Sequence, residues 1–172
     1  PNPEQIANLR FTDGGTPKTI LEAAGASWLS PFLYGYDGTG YYVEASALAV
    51  WSGYWIPMLP AGAGKIIQYA PDVTAPAPKV APVEVPATAT HWGIDLAAAL
   101  TIDGVQYADR IASFGVREDA TERFNSLYDA PRPPRAPSKD YIEVSFPARG
   151  EGYPQGFDNS YARDYRNPQK AT

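Results

Sequence analysis

Three large aromatic side chains fall within five residues at Trp51-Ser52-Gly53-Tyr54-Trp55, directly after a stretch that reads as a β-hairpin. Rings this dense, separated by a small pair, suit a pleated surface and not a helix. The rest of the chain enforces the same choice. Its 18 Pro and 15 Gly interrupt almost every long segment, and its 12 Tyr and 4 Trp favour strands. A second cluster lies further on, at Phe114-Gly115-Val116 and Asp129-Ala130-Pro131-Arg132-Pro133-Pro134. Together they read as a β-rich module and not as an active site.

The 172 residues suffice for one good core or two small ones, and 44% hydrophobic content excludes wholesale disorder. Net charge is −5. Nucleic-acid binding needs clustered Lys and Arg, and here the basic residues are scattered, with Arg132 and Arg135 separated by prolines. No Cys is present, which removes disulfides, thiol nucleophiles and the common zinc frameworks. No apolar run approaches the ~20 residues of a membrane span. The chain opens Pro1-Asn2-Pro3 without a Met or a signal-peptide pattern, and is expected to be a mature product, a fragment or part of something longer.

One short helix is predicted near residues 17–24, with Thr16 as N-cap, Pro17 at the first helical position and Gly25 as the stop. Phe32 to Tyr36 and Tyr41 to Glu44 flank Asp37-Gly38-Thr39-Gly40 as a hairpin. Further strands are expected over 53–58 and 65–69. Residues 71–89 change character, with Pro71, Pro76, Pro78, Pro82 and Pro86 among Ala, Val and Thr. This is polyproline-like chain, read either as a semi-rigid linker or as a segment packing along a sheet edge through Val73, Val80, Val83 and Val85. Beyond it, Trp92 to Leu100 and Gln106 to Gly115 flank an Asp103-Gly104 turn, and Asp140 to Phe146 alternates with period two. The expectation is a mainly β, β-sandwich-like protein. Its units are 1–70, a proline-rich segment 71–89, and 90–172. Phe11, Leu21, Trp28, Leu33, Trp51, Tyr54, Trp55, Trp92, Phe114, Tyr141, Val144 and Phe146 are the expected core.

The stretches Asn8 to Gly15, Leu21 to Ala24, Trp28, Phe32 to Asp37 and Trp51 to Ile56 resemble β-rich segments found near the ends of large secreted or surface-attached bacterial proteins. Trp92, Phe114-Gly115-Val116, Ala120, Asp129, Pro133-Pro134, Tyr141-Ile142 and Tyr161 to Arg166 resemble the module that commonly follows them. The resemblance implies an extracellular, noncatalytic accessory module. It also implies a further strand ahead of Asn2-Pro3, so that the first sheet would lack a member.

Catalytic equipment is sparse. His91 is the one histidine, and no serine sits in a nucleophile-elbow context. Asp95, Asp103, Asp109, Glu118, Asp119, Glu122 and Asp129 form no telling carboxylate pair. Asp13-Gly14-Gly15 and Asp37-Gly38-Thr39-Gly40 read as turns and not as calcium loops. No catalytic residue, metal or cofactor is expected. Two functions follow. The first is a structural module that self-assembles or joins another surface-protein chain, into filaments for instance, by β-strand addition with Val73, Val80, Val83 and Val85 as donor. The alternative is a carbohydrate-binding module in which a glycan stacks on Tyr34, Tyr36, Tyr41, Tyr42, Trp51 and Trp55.

Overall fold

The computed structural model describes residues 4–44, 47–68, 91–147, 153–154 and 160–168. The expected donor valines 73, 80, 83 and 85 lie outside the described residues, as does the whole 71–89 segment.

The protein is mainly β. Among the described residues, in chain order, the strands are β1 (Glu4–Gln5), β2 (Arg10–Thr12), β3 (Leu33–Tyr36), β4 (Tyr41–Glu44), β5 (Ala47–Leu48), β6 (Tyr54–Trp55), β7 (Ile66–Gln68), β8 (His91–Ile102), β9 (Val105–Arg117), β10 (Ala130–Pro131), β11 (Phe146–Pro147) and β12 (Ser160–Arg166), with one α-helix, α1 (Ile20–Gly25), and two short 3-10 turns, Ile6–Asn8 and Pro60–Gly62. β1 pairs with β5, and β2 with β7. A three-stranded sheet runs β4-β3-β6, and the largest runs β10-β12-β9-β8 with β11 also on β12. β12 lies parallel to β9, and the other pairings of that sheet are antiparallel.

The two hairpins follow from turn chemistry. Asp103 and Gly104, at φ of 51° and 80°, take the left-handed conformations of a two-residue loop between β8 and β9. Asp37 Oδ1 accepts from the N–H groups of Thr39 at 2.8 Å and Gly40 at 2.9 Å, closing the β3–β4 turn. The helix starts later than Thr16-Pro17 suggests. Thr19 is its N-cap, in a reciprocal capping box with Glu22. Gly25 is its last residue, as expected, but the left-handed residue that closes it is Ser27, at φ 58°. The Ser27 N–H bonds the Ala24 carbonyl at 2.8 Å and the Trp28 N–H that of Ala23 at 2.9 Å, a Schellman closure that sends Trp28 inward.

One core gathers Ile6, Leu9, Phe11, Ile20, Ala23, Ala24, Trp28, Leu29 and Leu33. A second joins Tyr34 and Tyr41 to Ile111, Ala130 and Ala162, so the stretches before residue 69 and after residue 90 share an interior. Backbone contact seals the junction. The Ala108 N–H donates to the Thr39 carbonyl at 3.1 Å, and a Cβ on Gly40 would lie 1.7 Å from the Ala108 carbonyl oxygen. Only glycine permits that approach.

Several expected core positions lie elsewhere. Phe11, Trp28 and Leu33 are buried, but Leu21, Trp51, Trp55 and Trp92 are exposed, and Tyr54, Phe114, Tyr141, Val144 and Phe146 are half-buried. Leu21 points outward because α1 turns Ile20, Ala23 and Ala24 to the core. The alternating run 140–146 forms no strand before Phe146. Its backbone is satisfied by side chains instead. The Val144 N–H donates to Asp109 Oδ2 at 2.7 Å, and the Val144 carbonyl accepts from the Arg132 guanidinium.

Two buried carboxylates anchor this half. Asp109 pairs with Arg132 at 2.8 Å, both almost fully buried, and Arg132 also meets Glu143 at 3.4 Å. Asp129 is fully buried and accepts from the N–H groups of Asn125 and Tyr165, each at 2.8 Å. Its carbonyl accepts from Ser30 Oγ at 3.0 Å. Burial pushes the Asp129 carboxyl up to about 7, against the two N–H donors, which favour the charged form.

The folded state therefore retains the Asp129 proton between about pH 4 and pH 7, where the unfolded chain has released it. Stability from this group is full below pH 4 and lost as pH rises to 7, by at most about 4 kcal/mol. Asp129→Asn is expected to flatten that part of a stability-versus-pH curve measured by urea unfolding. Asp109→Ala leaves a buried guanidinium without its main partner and is expected to destabilise by about 3–5 kcal/mol in the same assay. The pairwise change Asp109→Leu with Arg132→Met should cost far less.

Candidate functional site

Among the described residues the second-longest strand, β8, is exposed over nine of its 12 residues. Among those same described residues β8 lies at the edge of its sheet, paired with β9 on one side only. At about 3.3 Å per residue its 12 residues extend roughly 40 Å. Every second residue of such an edge points its N–H and C=O away from the sheet. Strand alternation places Trp92, Ile94, Leu96, Ala98, Leu100 and Ile102 on one face, a row without a polar side chain. Trp92, Ile94 and Leu100 are 49%, 46% and 40% exposed. The opposite face carries the strand's one carboxylate, Asp95. The pairing with β9 shifts between Leu96 and Ala98, the single irregularity in an otherwise continuous ladder. Neither Pro nor Lys interrupts the strand, so the shift at Leu96/Ala98 and the single carboxylate Asp95 are the features of it that would blunt an edge.

The six aromatics expected to form a platform are distributed over two faces and a loop. Tyr34, Tyr36, Tyr41 and Trp55 share one face of the β4-β3-β6 sheet, where Tyr34 and Tyr41 are buried and Tyr36 meets Tyr41 at 5.2 Å between centroids. Tyr42 lies on the other face, its ring over Gly35. Trp51 is on the loop between β5 and β6, 96% exposed and at φ 62°. Trp51 and Trp55 are thus the two large rings of the set that remain in solvent.

Trp55 also borders an open cleft of about 460 Å³. β3 supplies Tyr34 as a wall, the chain after β6 supplies Ile56, Pro57 and Met58, and the chain after β10 supplies Arg132, Pro133 and Pro134. The lining is apolar but for Arg132, whose charge is answered by Asp109 and Glu143, and the Tyr34 hydroxyl offers the cleft no accessible surface. That hydroxyl is buried and has no hydrogen-bond partner among the described residues. Burial pushes its ionisation well above the ordinary tyrosine range, so it is a neutral donor and acceptor.

No family model matches the chain, and neither a curated protein nor a solved structure matches it.

The remaining sequence candidates have structural surroundings. His91 opens β8 at the surface. Asp119 binds Arg117 at 3.0 Å and the Tyr128 hydroxyl, and Asp13 accepts from Gly15 at 3.2 Å and pairs with Lys65 at 3.3 Å. No helix of the described residues is long and apolar enough to cross a membrane. Sequence reasoning identified β8 as a strand but missed Ile94 and Leu100 as surface, although their alternation was visible. The cleft had no local signal, because it joins residues about 80 positions apart.

Tyr34→Phe removes a buried hydroxyl that has no partner. It is expected to leave the fold unchanged in stability or raise it by about 1 kcal/mol in urea unfolding.

Proposed function

We propose that this chain is a noncatalytic structural module of an extracellular bacterial surface protein or appendage, and that it works by joining other chains through β-strand addition to β8. The observation that carries the reading is the 12-residue edge with its unbroken apolar row. An added strand would satisfy the outward backbone groups and cover Trp92, Ile94 and Leu100 in one step. Solvent gains nothing from such a surface, and exposed apolar edges of this length are the surfaces that natural sheets protect when no partner is intended. The extracellular setting rests on the resemblance of the aromatic and Phe-Gly-Val segments to accessory modules of secreted proteins. The noncatalytic reading is supported by the engagement of both buried carboxylates, Asp109 and Asp129, in holding the fold together.

A carbohydrate-binding module remains the alternative. It would rest on Trp51 and Trp55, since Tyr34 and Tyr41 are buried and Tyr42 faces the other way. Two separated indoles make a smaller platform than the six rings first counted.

The test replaces two exposed side chains of the apolar row, Ile94→Lys with Leu100→Lys. Both positions are solvent-facing, so the variant should keep its circular dichroism spectrum. Light scattering and electron microscopy of the unmodified chain are expected to show oligomers or polymers that the lysine variant does not form. A wild-type chain that stays monomeric at high concentration, or a variant that assembles as well as the parent, would refute strand addition at β8.

A further inference from the structure

Reversed about Ala97, the apolar row of β8 falls on itself. Trp92 exchanges with Ile102, Ile94 with Leu100 and Leu96 with Ala98. The irregularity in its ladder adds a residue to the neighbour. Arg110 and Ile111 of β9 stand together against Ala97, so the bulge is on β9 and the alternation of β8 runs through it. Among the described residues nothing pairs with the outer side of β8, and Ala97 and Ala99 are exposed there. The strand holds one carboxylate, Asp95, and no Lys or Arg, so no charged cluster selects an acidic or basic partner.

Symmetry restricts how two such edges can meet. Two copies paired antiparallel along β8 are related by a two-fold axis normal to the sheet. That axis keeps both apolar rows on one face. Opposed residues of a sheet also share a face, so the axis must pass through a residue and not between two. Charge and overlap then choose the residue. Centred on Asp95, the pair sets the two carboxylates against each other, which destabilises a sheet. Centred on Leu96, it leaves them two residues apart, about 7 Å along the strand and inside the ~8 Å screening length at physiological salt. Centred on Ala97, it sets Asp95 against Ala99 and separates the carboxylates by roughly 13 Å. Centred on Ala98, it carries Trp92 past the end of the opposing strand to Gly104. Ala97 is the centre that keeps the whole row paired and the carboxylates apart.

We infer that the strand added to β8 is β8 of a second copy, antiparallel and centred on Ala97. The inference rests on strand addition at β8 and names the donor. Length favours this donor. Among the described strands only β8 and β9 reach 12 residues, and both sides of β9 are taken, by β8 and β12. The next longest, β12, has 7 residues. A foreign donor would need apolar residues at alternate positions along the whole edge, whereas β8 supplies them by symmetry. Six residues of each strand turn N–H and C=O outward, so full overlap makes about a dozen backbone bonds, in the range of a specific interface. A strip roughly 40 Å long and about 10 Å deep on each copy closes on the order of 800 Å² in total. That is the small end for a specific contact, so the pairing is reversible. An isologous contact closes at two copies, and the two large sheets become one, β10-β12-β9-β8 running on into its symmetry mate.

The chain has no Cys, so single introduced thiols report the register. Directly opposed Cα atoms of an antiparallel pair lie about 4.5–5.5 Å apart, within reach of a disulfide. Ala97→Cys in the full chain is expected to give a disulfide-linked dimer under mild oxidation, in a yield that rises with concentration and disappears when Ile94→Lys and Leu100→Lys are added. Asp95→Cys and Ala99→Cys each hold their own thiols roughly 13 Å apart and should stay unlinked alone, but should link to each other when mixed. Sedimentation velocity of the unmodified chain should show a monomer–dimer equilibrium. Ala99→Lys, opposite Asp95 of the second copy, should tighten it several-fold, and Ala99→Asp should weaken it several-fold. Assemblies that the lysine pair abolishes, but that do not link through Ala97→Cys, would overturn the second copy as donor and leave strand addition at β8 to another chain. Linkage of Ala99→Cys alone as readily as Ala97→Cys would overturn the register. A monomer at every concentration would overturn both this pairing and the reading it rests on.

Discussion

The buried pair of Asp109 and Arg132 is the constraint on which the rest of the molecule leans. Taking two ions out of water is unfavourable unless nearly every lone pair and N–H finds a partner. Here they do. Asp109 accepts from Arg132 at 2.8 Å, from Val144 at 2.7 Å and from Ile111 at 3.2 Å, while Arg132 reaches Glu143 and the Val144 carbonyl as well. These bonds hold an irregular segment, 139–145, against β9 without a sheet ladder. They also fix the chain at Arg132 to Pro134, whose last carbonyl accepts from the Tyr41 hydroxyl at 2.8 Å. The same residues wall the cleft, so its shape is set by an ion pair on its far side.

Polarity is distributed in an unusual way as a result. Polar groups are gathered inside the junction between sheets, in the Asp109–Arg132 ion pair and the hydrogen-bonded Asp129 carboxyl, and uncharged apolar groups stand outside, at Trp51, Trp55 and along β8. Buried ions give the junction a single arrangement, because any other leaves one of them unpaired. Exposed apolar groups at Trp51, Trp55 and along β8 leave apolar area in contact with water. The apolar row of β8 carries no acidic side chain, the strand's one carboxylate, Asp95, lying on its opposite face.

Much of the local structure was legible in the residues. Asp103-Gly104 and Asp37-Gly38 announce hairpins because only small or side-chain-bonding residues accept those backbone angles. The even-numbered row from Trp92 to Ile102 announces a strand. The helix was legible too, but from a different signal than Thr16-Pro17. The Thr19–Glu22 spacing is a capping box, and it won because both its bonds are local. The alternation over 140–146 misled for the converse reason. Period two describes side chains, whereas a strand needs a neighbour with free backbone groups, and here Asp109 and Arg132 supplied the bonds instead.

The aromatic residues mark the limit. Composition and order fix that Trp28, Trp51, Trp55 and Trp92 belong to a β-rich chain, and turn chemistry fixes where that chain reverses. Neither says which indole is covered. Trp28 is inside because the Schellman closure after α1 aims it at a core assembled from residues 6 to 33, with Lys18 and Lys65 over its ring. Trp92 is outside because β8 came to lie at an edge. Turns and caps are settled by bonds between near neighbours, so they can be read along the chain. Burial, edges and clefts are settled by which distant segments meet, and that exists only once the sheets have packed.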